Sequence, residues 1–381
     1  MPDALSILGG RDAAGNSLDL TAQDGVLAEH APPHTTLDAT GLTVVPGFVD
    51  VQVNGAFGHD FTADPESIWA AAARLPETGV TAFLPTIIST SDGTIPAAQA
   101  VVQRRPEGFV GAEPLGLHLE GPMISFEKRG AHPAQYLADQ ASAQDWSPAN
   151  GVALVTLAPE LPGALDAIDT LSQRGVVVSL GHSNATADEA EAGADAGATF
   201  GTHLFNAMSL PTRSEPGLAG FLLTDRRLFF GLINDGVHVH RRLVQLMWAA
   251  ARDRTILITD SMAAMGVGDG RYQLGSLDIT VDGMVASRAD GGLAGSVLTM
   301  GQAIRNLVEF TGCTLEAAVA AATTHPAALL RLTDRGSLRV GRRADVALLD
   351  PQAAVVATIV GGQIAFLESP ERLTGGLHDP A

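Results

Sequence analysis

The chain has one cysteine, Cys313, in 381 residues. That excludes an intrachain disulfide and a cysteine-based metal site, so any bound metal must use histidine and carboxylate. Positive charge is also scarce: 23 Lys and Arg stand against 42 Asp and Glu, for a formal net charge of −19. A field of that sign argues against nucleic acid or an anionic membrane as partner, although a pocket in an acidic protein can still be locally basic. No continuous apolar run reaches membrane-spanning length, and no basic segment followed by an apolar one opens the chain. The expectation is a cytoplasmic protein. Internal repeats and low-complexity blocks are missing too.

What is present is apolar content of 46% with 17% charged residues, enough for a sizeable core. Strand-like apolar runs recur at 47–53, 81–87, 114–119, 151–157, 176–180, 199–204, 228–233 and 255–259. Helical segments separate them, among them 65–75, 161–173, 187–196 and 241–251. Near-continuous apolar strands are what a parallel sheet buried on both faces needs. Eight such βα units predict an α/β protein built on a (β/α)8 TIM-type barrel. A doubly wound open sheet ranks below it, because no glycine-rich phosphate fingerprint follows a first strand. After the eighth strand, 272–294 reads as Gly-rich β structure, and helices are expected over 299–311 and 314–330.

Both ends read as short strands: 5–8, 17–20 and 42–45 at the start, then 345–349, 354–360 and 363–366 at the end. Gly361-Gly362 between the last two is a hairpin signal. Neither end can bury much apolar surface alone. Together they are expected to form a small β-sandwich domain, residues 1–45 plus 336–381, with the barrel over 46–335.

In a barrel of this kind the C-terminal strand ends face the active site. The polar residues there are Asp50, Gln52 and Asn54 after the first strand, then His118 and Glu120, His182, His203, Asp235 and His238, and Asp260. The stretch from Val176 to Met208 organises this set, since His182 and His203 end consecutive strands. With Glu120 they can supply two imidazole nitrogens and a carboxylate oxygen to a catalytic metal with an open position. Zinc, iron(II) and manganese all accept such donors. Asp260 is a candidate to take a proton from a water and return it to a leaving group, or else the cap of the following helix. His238 can polarise or orient a carbonyl. His118 shares a face with Glu120 and either binds the metal or backs a ligand. His30, His34, His240, His325 and His378 read as surface or packing residues, and His59 is left open.

The motifs PGFVDVQVNG (46–55), HLEGP (118–122), GHSNAT (181–186), THLFNAM (202–208), EPGLAG (215–220), NDGVHV (234–239) and TD (259–260) carry a resemblance. GSVLTM (295–300) and GRRADVALLD (341–350) extend it. The chain resembles the N-acetylglucosamine-6-phosphate deacetylases of the amidohydrolase superfamily. The resemblance implies a barrel joined to a small β-sandwich. It implies hydrolysis of the 2-acetamido group of a sugar phosphate to acetate and an amino sugar phosphate, and a homodimer. Carried over by motif, Glu120, His182 and His203 would hold one divalent metal, zinc first, and Asp260 would be base then acid. His238 would contact the acetamido carbonyl. Ala131, His132, Asn206, Ala207, Asp235 and the turn Leu293-Ala294-Gly295 would line the sugar and phosphate site. Gln52 and Asn54 stand where many members carry His-x-His, which favours a single metal. The family's phosphate arginine directly precedes Glu-Pro-Gly; here Ser214 has that place and Arg213 stands one residue earlier, so the pair is expected to meet the phosphate in a shifted register. N-acetylgalactosamine 6-phosphate, an unphosphorylated N-acyl compound, or a barrel that only binds are the alternatives.

Overall fold

The computed structural model describes residues 4–30, 35–91 and 93–374. The eight apolar runs become parallel strands β1 (Phe48–Val53), β2 (Val80–Ile87), β3 (Leu117–Glu120), β4 (Val152–Leu157), β5 (Val177–Leu180), β6 (Phe200–Gly201), β7 (Phe229–Ile233) and β8 (Thr255–Ile258). Each pairs in parallel with the next. Every residue of β1, β2 and β3 is buried, as a sheet covered on both faces requires. The apolar core takes in Phe48, Phe83, Phe200 and Phe230, each fully enclosed.

No ladder joins β8 back to β1 among the described residues; individual bonds close that seam instead. Asp260 N donates to Gln52 O at 2.9 Å and Asn54 N to Ser261 O at 2.8 Å. Thr259 Oγ1 donates to the buried Asp50 Oδ2 at 2.6 Å. Burial pushes the Asp50 carboxyl up to about 7, against the hydrogen bonds it accepts.

Two expectations about helices need correction. β3 is followed by short 3-10 turns at Phe126–Lys128, Ala134–Tyr136 and Pro148–Asn150, with no α-helix before β4. Pro122, Pro133 and Pro148 punctuate that segment, and each lacks the N–H a continuous helix would use. The helix expected over 314–330 is two, Leu315–Ala320 and Thr324–Leu329. Pro326 cannot donate back to Ala322, so the helix stops and restarts with Pro326 in a first turn. The freed carbonyls are used: Val49 N of β1 donates to Ala322 O, and Leu257 N of β8 to Ala321 O, both at 2.9 Å. The break therefore clamps both sides of the seam.

The two ends of the chain share one sheet of nine strands. Thr43–Pro46 pairs antiparallel with Val346–Leu349, Ala347 opposite Val45. Along Ala4–Arg11 the sheet forks, pairing first with Thr35–Asp38 and at Arg11 with Thr43. Leu37, Val44 and Ile359 meet in an apolar core separate from that of the barrel. The Gly361-Gly362 turn forms as the sequence indicates, with both φ values positive at 55° and 78°. After β8 a three-stranded antiparallel sheet, Gly270–Leu274, Leu277–Asp282 and Val285–Ser287, packs on Ile88 and Met262 beside the strand ends. Among the described residues no helix is long and apolar enough to cross a membrane.

Candidate active site

Three strand ends finish with a residue in the left-handed region: His182 (φ 50°), His203 (φ 31°) and Asp260 (φ 48°). Non-glycine residues rarely adopt this conformation, and held examples gather at functional sites. Just beyond His203, Phe205 (φ 75°) and Ala207 (φ 47°) repeat it. Thr186 then starts the next helix with a capping box, its hydroxyl accepting from Glu189 N at 3.2 Å.

Glu120 Oε1 lies 3.2 Å from His182 Nε2 and 3.2 Å from His203 Nε2, and the two nitrogens are 3.0 Å apart. All three side chains are buried. His182 Nδ1–H donates to Lys128 O at 2.7 Å, which leaves a lone pair on Nε2 facing the carboxylate. Burial opposes the charge on Glu120, yet the hydrogen bond from His132 and the neighbouring imidazoles of His182 and His203 hold its carboxyl well below the usual range. Burial likewise opposes a charged His203, and Glu120 outweighs it to raise that imidazole. Donor atoms packed this closely call for a positive charge among them. The spacing fits a tetrahedral metal with bonds of ~2.0–2.1 Å, whose donor atoms lie about 3.3 Å apart.

His132 also reaches Glu120, with Nε2 3.6 Å from Oε2, and its donor atoms group with those of Glu120 and His182. His132 differs from His182 in its tautomer. Ser89 N donates to His132 Nδ1 at 3.2 Å, so the His132 proton sits on Nε2, aimed at the carboxylate. Burial pushes His132 down to about 4, which keeps it neutral. His118 lies beneath the cluster: Nε2 meets Thr156 Oγ1 at 2.7 Å and Nδ1 meets Val51 O at 3.1 Å. Both nitrogens are occupied, so His118 backs the site and is not turned to the metal position.

Asn54 Nδ2 donates to Asp260 Oδ1 at 2.7 Å, and Gln52 Nε2 donates to the same oxygen at 3.1 Å and to Glu120 Oε1 at 2.9 Å. Burial, then the nearby Glu120 charge, raises the Asp260 carboxyl to about 6. His238 Nδ1 meets Asp235 Oδ2 at 2.6 Å. Burial works against the Asp235 charge, but His238 holds its carboxyl below the ordinary value.

These groups share a pocket of about 300 Å³. Glu120, Ala131, His132, His182, His203, Asn206, Ala207, His238, Asp260, Leu293, Ala294 and Gly295 all line it. Asp235 stands behind His238. Arg213 and Ser214 do not line it: Thr212 N donates to Glu215 O at 2.8 Å, which places both at the exposed tip of a turn. Lys128 and Arg288 line the pocket and were not expected there. Lys128 had a signal open to a residue count, as the chain's sole lysine. Arg288 had none, because the fold of the 270–295 sheet brings it in. His59 is half-buried beside a separate cavity with Asp60 and Asp64. His30 is exposed, His240 is an exposed helix cap, and His325 is half-buried with Nδ1 donating to Thr255 O. His34 and His378 lie outside the described residues.

Over residues 43–365 the chain matches the amidohydrolase family, to which it belongs. Its relatives narrow the class. N-acetylglucosamine-6-phosphate deacetylase of Rattus norvegicus is 39% identical over 346 residues, covering 86% of this chain and 85% of the relative. N-acetylgalactosamine-6-phosphate deacetylase of Escherichia coli O157:H7 is 39% identical over 354 residues, covering 91% and 94%. A mutant N-acetyl-D-glucosamine-6-phosphate deacetylase from Mycobacterium smegmatis, solved in complex with N-acetyl-D-glucosamine-6-phosphate, is similar at a TM-score of 0.83 and 34% identity. The match covers 96% of this chain and 99% of that one. Within the amidohydrolases the chain falls among the N-acetylglucosamine-6-phosphate deacetylases.

Proposed function

We infer that this chain hydrolyses the 2-acetamido group of N-acetylglucosamine 6-phosphate, yielding acetate and glucosamine 6-phosphate. The observation that carries this reading is the approach of Glu120, His182 and His203 within 3.2 Å of one another, in one pocket with Asp260. One divalent metal per chain, zinc by preference with iron(II) or manganese suiting the same donors, would be held there and would polarise the carbonyl and acidify a water.

The protein's own groups do the rest. Asp260 takes a proton from the attacking water and passes it to the nitrogen as the C–N bond breaks. A carboxyl raised to about 6 suits both tasks near neutral pH. Asp235 occupies Nδ1 of His238, leaving Nε2 to meet the acetamido oxygen. His132 donates toward Glu120 and steadies it. Asn206, Ala207 and the Leu293–Gly295 turn hold the sugar.

N-acetylgalactosamine 6-phosphate and an unphosphorylated N-acyl compound are less favoured, since so many relatives bear the glucosamine name. A binding-only barrel is disfavoured because all four key residues are present. A charged sugar phosphate stays inside the cell, which supports a cytoplasmic setting; a homodimer rests on the resemblance. The separate apolar cores support two domains, 1–45 plus 336–381 and 46–335.

Acetate release from N-acetylglucosamine 6-phosphate tests the activity. Asp260→Asn should abolish turnover while metal content is kept. Full activity in that variant would overturn the role given to Asp260.

A further inference from the structure

Between β3 and β4 the chain has only short 3-10 turns where a barrel of this kind carries a helix. Turns cover the strands less completely. Between that segment and the helix Thr94–Val102 a second cavity opens, of about 650 Å³. Small-molecule sites span about 300–1,000 Å³, so the size fits such a ligand.

Its chemistry differs from that of the pocket around Glu120. No Asp, Glu, Lys, Arg or His stands in its lining among the described residues. A charged ligand held there would give up water with no countercharge in return. The floor is apolar, with Ile88, Met123 and Trp146 buried. The rim carries neutral amides, among them Gln99, Gln135 and Gln140. Trp146 is 8% exposed, and its Nε1–H has no hydrogen-bond partner among the described residues. The Trp69 Nε1–H, by contrast, donates to Val101 O at 3.0 Å. A buried indole N–H usually finds a partner. An indole beside neutral amides suits a ring with an apolar C–H face and hydroxyls around its edge, which describes an uncharged sugar.

The cavity shares a wall with the catalytic pocket. Ser89 and Gly121 both line it. Ser89 meets His132 Nδ1 twice, through its N–H at 3.2 Å and its hydroxyl at 2.9 Å. Gly121 directly follows Glu120, and a Cβ there would collide with Ser89 Oγ. A ligand that draws the Ser89 hydroxyl away leaves His132 Nδ1 to the N–H alone. That weakens the pull of His132 Nε2–H on Glu120, since hydrogen bonds in a chain polarise one another.

We propose that this cavity binds an uncharged sugar and that its occupancy is passed through Ser89 and His132 to Glu120. Binding stands on the cavity alone; the effect on turnover rests on the deacetylase reading above.

Glucose is the probe, titrated while tryptophan fluorescence is read, with and without excess glucose 6-phosphate. The charged sugar fills the catalytic pocket and is excluded from a cavity without countercharge. A saturable change that survives it is expected, with a dissociation constant of about 10 mM or lower. Trp146→Phe should lose the signal, and Gln140→Ala should weaken binding by about threefold to tenfold. In the unaltered protein, glucose that fills the cavity should shift kcat/KM for N-acetylglucosamine 6-phosphate by about fivefold or more. The same glucose concentration should shift it less in Gln140→Ala, whose turnover without glucose should be unchanged. No saturable change, a signal lost in glucose 6-phosphate, or equal affinity in Gln140→Ala would overturn the site. A filled cavity with kcat/KM unmoved would overturn the link through Ser89. If the unaltered protein releases no acetate, the deacetylase reading fails, and the fluorescence titration still decides the cavity.

Discussion

Asn54 Nδ2 donates to Asp260 Oδ1 at 2.7 Å, across the seam where β1 meets β8. Gln52 reaches the same oxygen at 3.1 Å, so two amides steady one carboxylate. In its proposed role as base Asp260 must be ionised, and its carboxyl stands at about 6. Activity should therefore fall as pH drops through that region. Asn54→Ala removes a donor to the ionised form and should push the acid limb of the kcat/KM profile up by about one pH unit. A limb that stays in place in this variant counts against the pairing.

Metal removal should act on both rate and stability. Three donor atoms spaced 3.0–3.2 Å apart would lose the positive charge proposed to lie among them. A strong chelator should stop acetate release and lower the melting temperature, and added zinc should restore both. Glu120→Ala should cut the metal content well below one per chain. Unchanged metal content would remove Glu120 from the ligand set.

Asp50 makes a different prediction. Burial puts its folded carboxyl at about 7, above the ordinary value of 3.8. Its neutral form is the one the fold prefers, so its contribution is complete below about pH 4 and is lost as pH rises through 7. Asp50→Asn keeps a neutral acceptor for Thr259. Its melting temperature relative to the parent protein should therefore improve from about pH 4 to about pH 7 and level off above that. A difference that is flat with pH rules this out.

The capping box at Thr186 places the helix that leaves the His182 loop. Thr186→Ala should cost about 1 kcal/mol, seen as a lowered denaturation midpoint at unchanged slope. Glu189→Ala should lose part of the same energy, and the double variant less than the sum, because both act through one motif.

How legible the chain was depends on the range of the interaction read. Strand positions, the Gly-Gly hairpin and the meeting of both ends follow from local pattern, because burial on both faces leaves apolar runs and a turn with positive φ selects glycine. The break at Pro326 is equally local, but apolar residues continue through it and mask the stop. His182, His203, Glu120 and Asp260 were placed together because strand ends share one barrel face. The position of Arg213 was not legible: the Thr212–Glu215 turn aims it away, and a motif does not report the tip of a turn.

The amino-acid sequence by itself determined the donors available: no cysteine pair, two strand-end histidines, a glutamate and an aspartate set by periodicity on one rim. Only the tertiary structure decided which atoms meet. Lys128 O selects the His182 tautomer, Ser89 N makes His132 a donor, and Gln52 and Asn54 turn toward Asp260. Such bonds join residues far apart in the chain, and their directions depend on backbone positions that no local pattern encodes. The entry of Arg288 into the pocket is the same kind of fact, fixed by how a distant sheet packs on the barrel mouth.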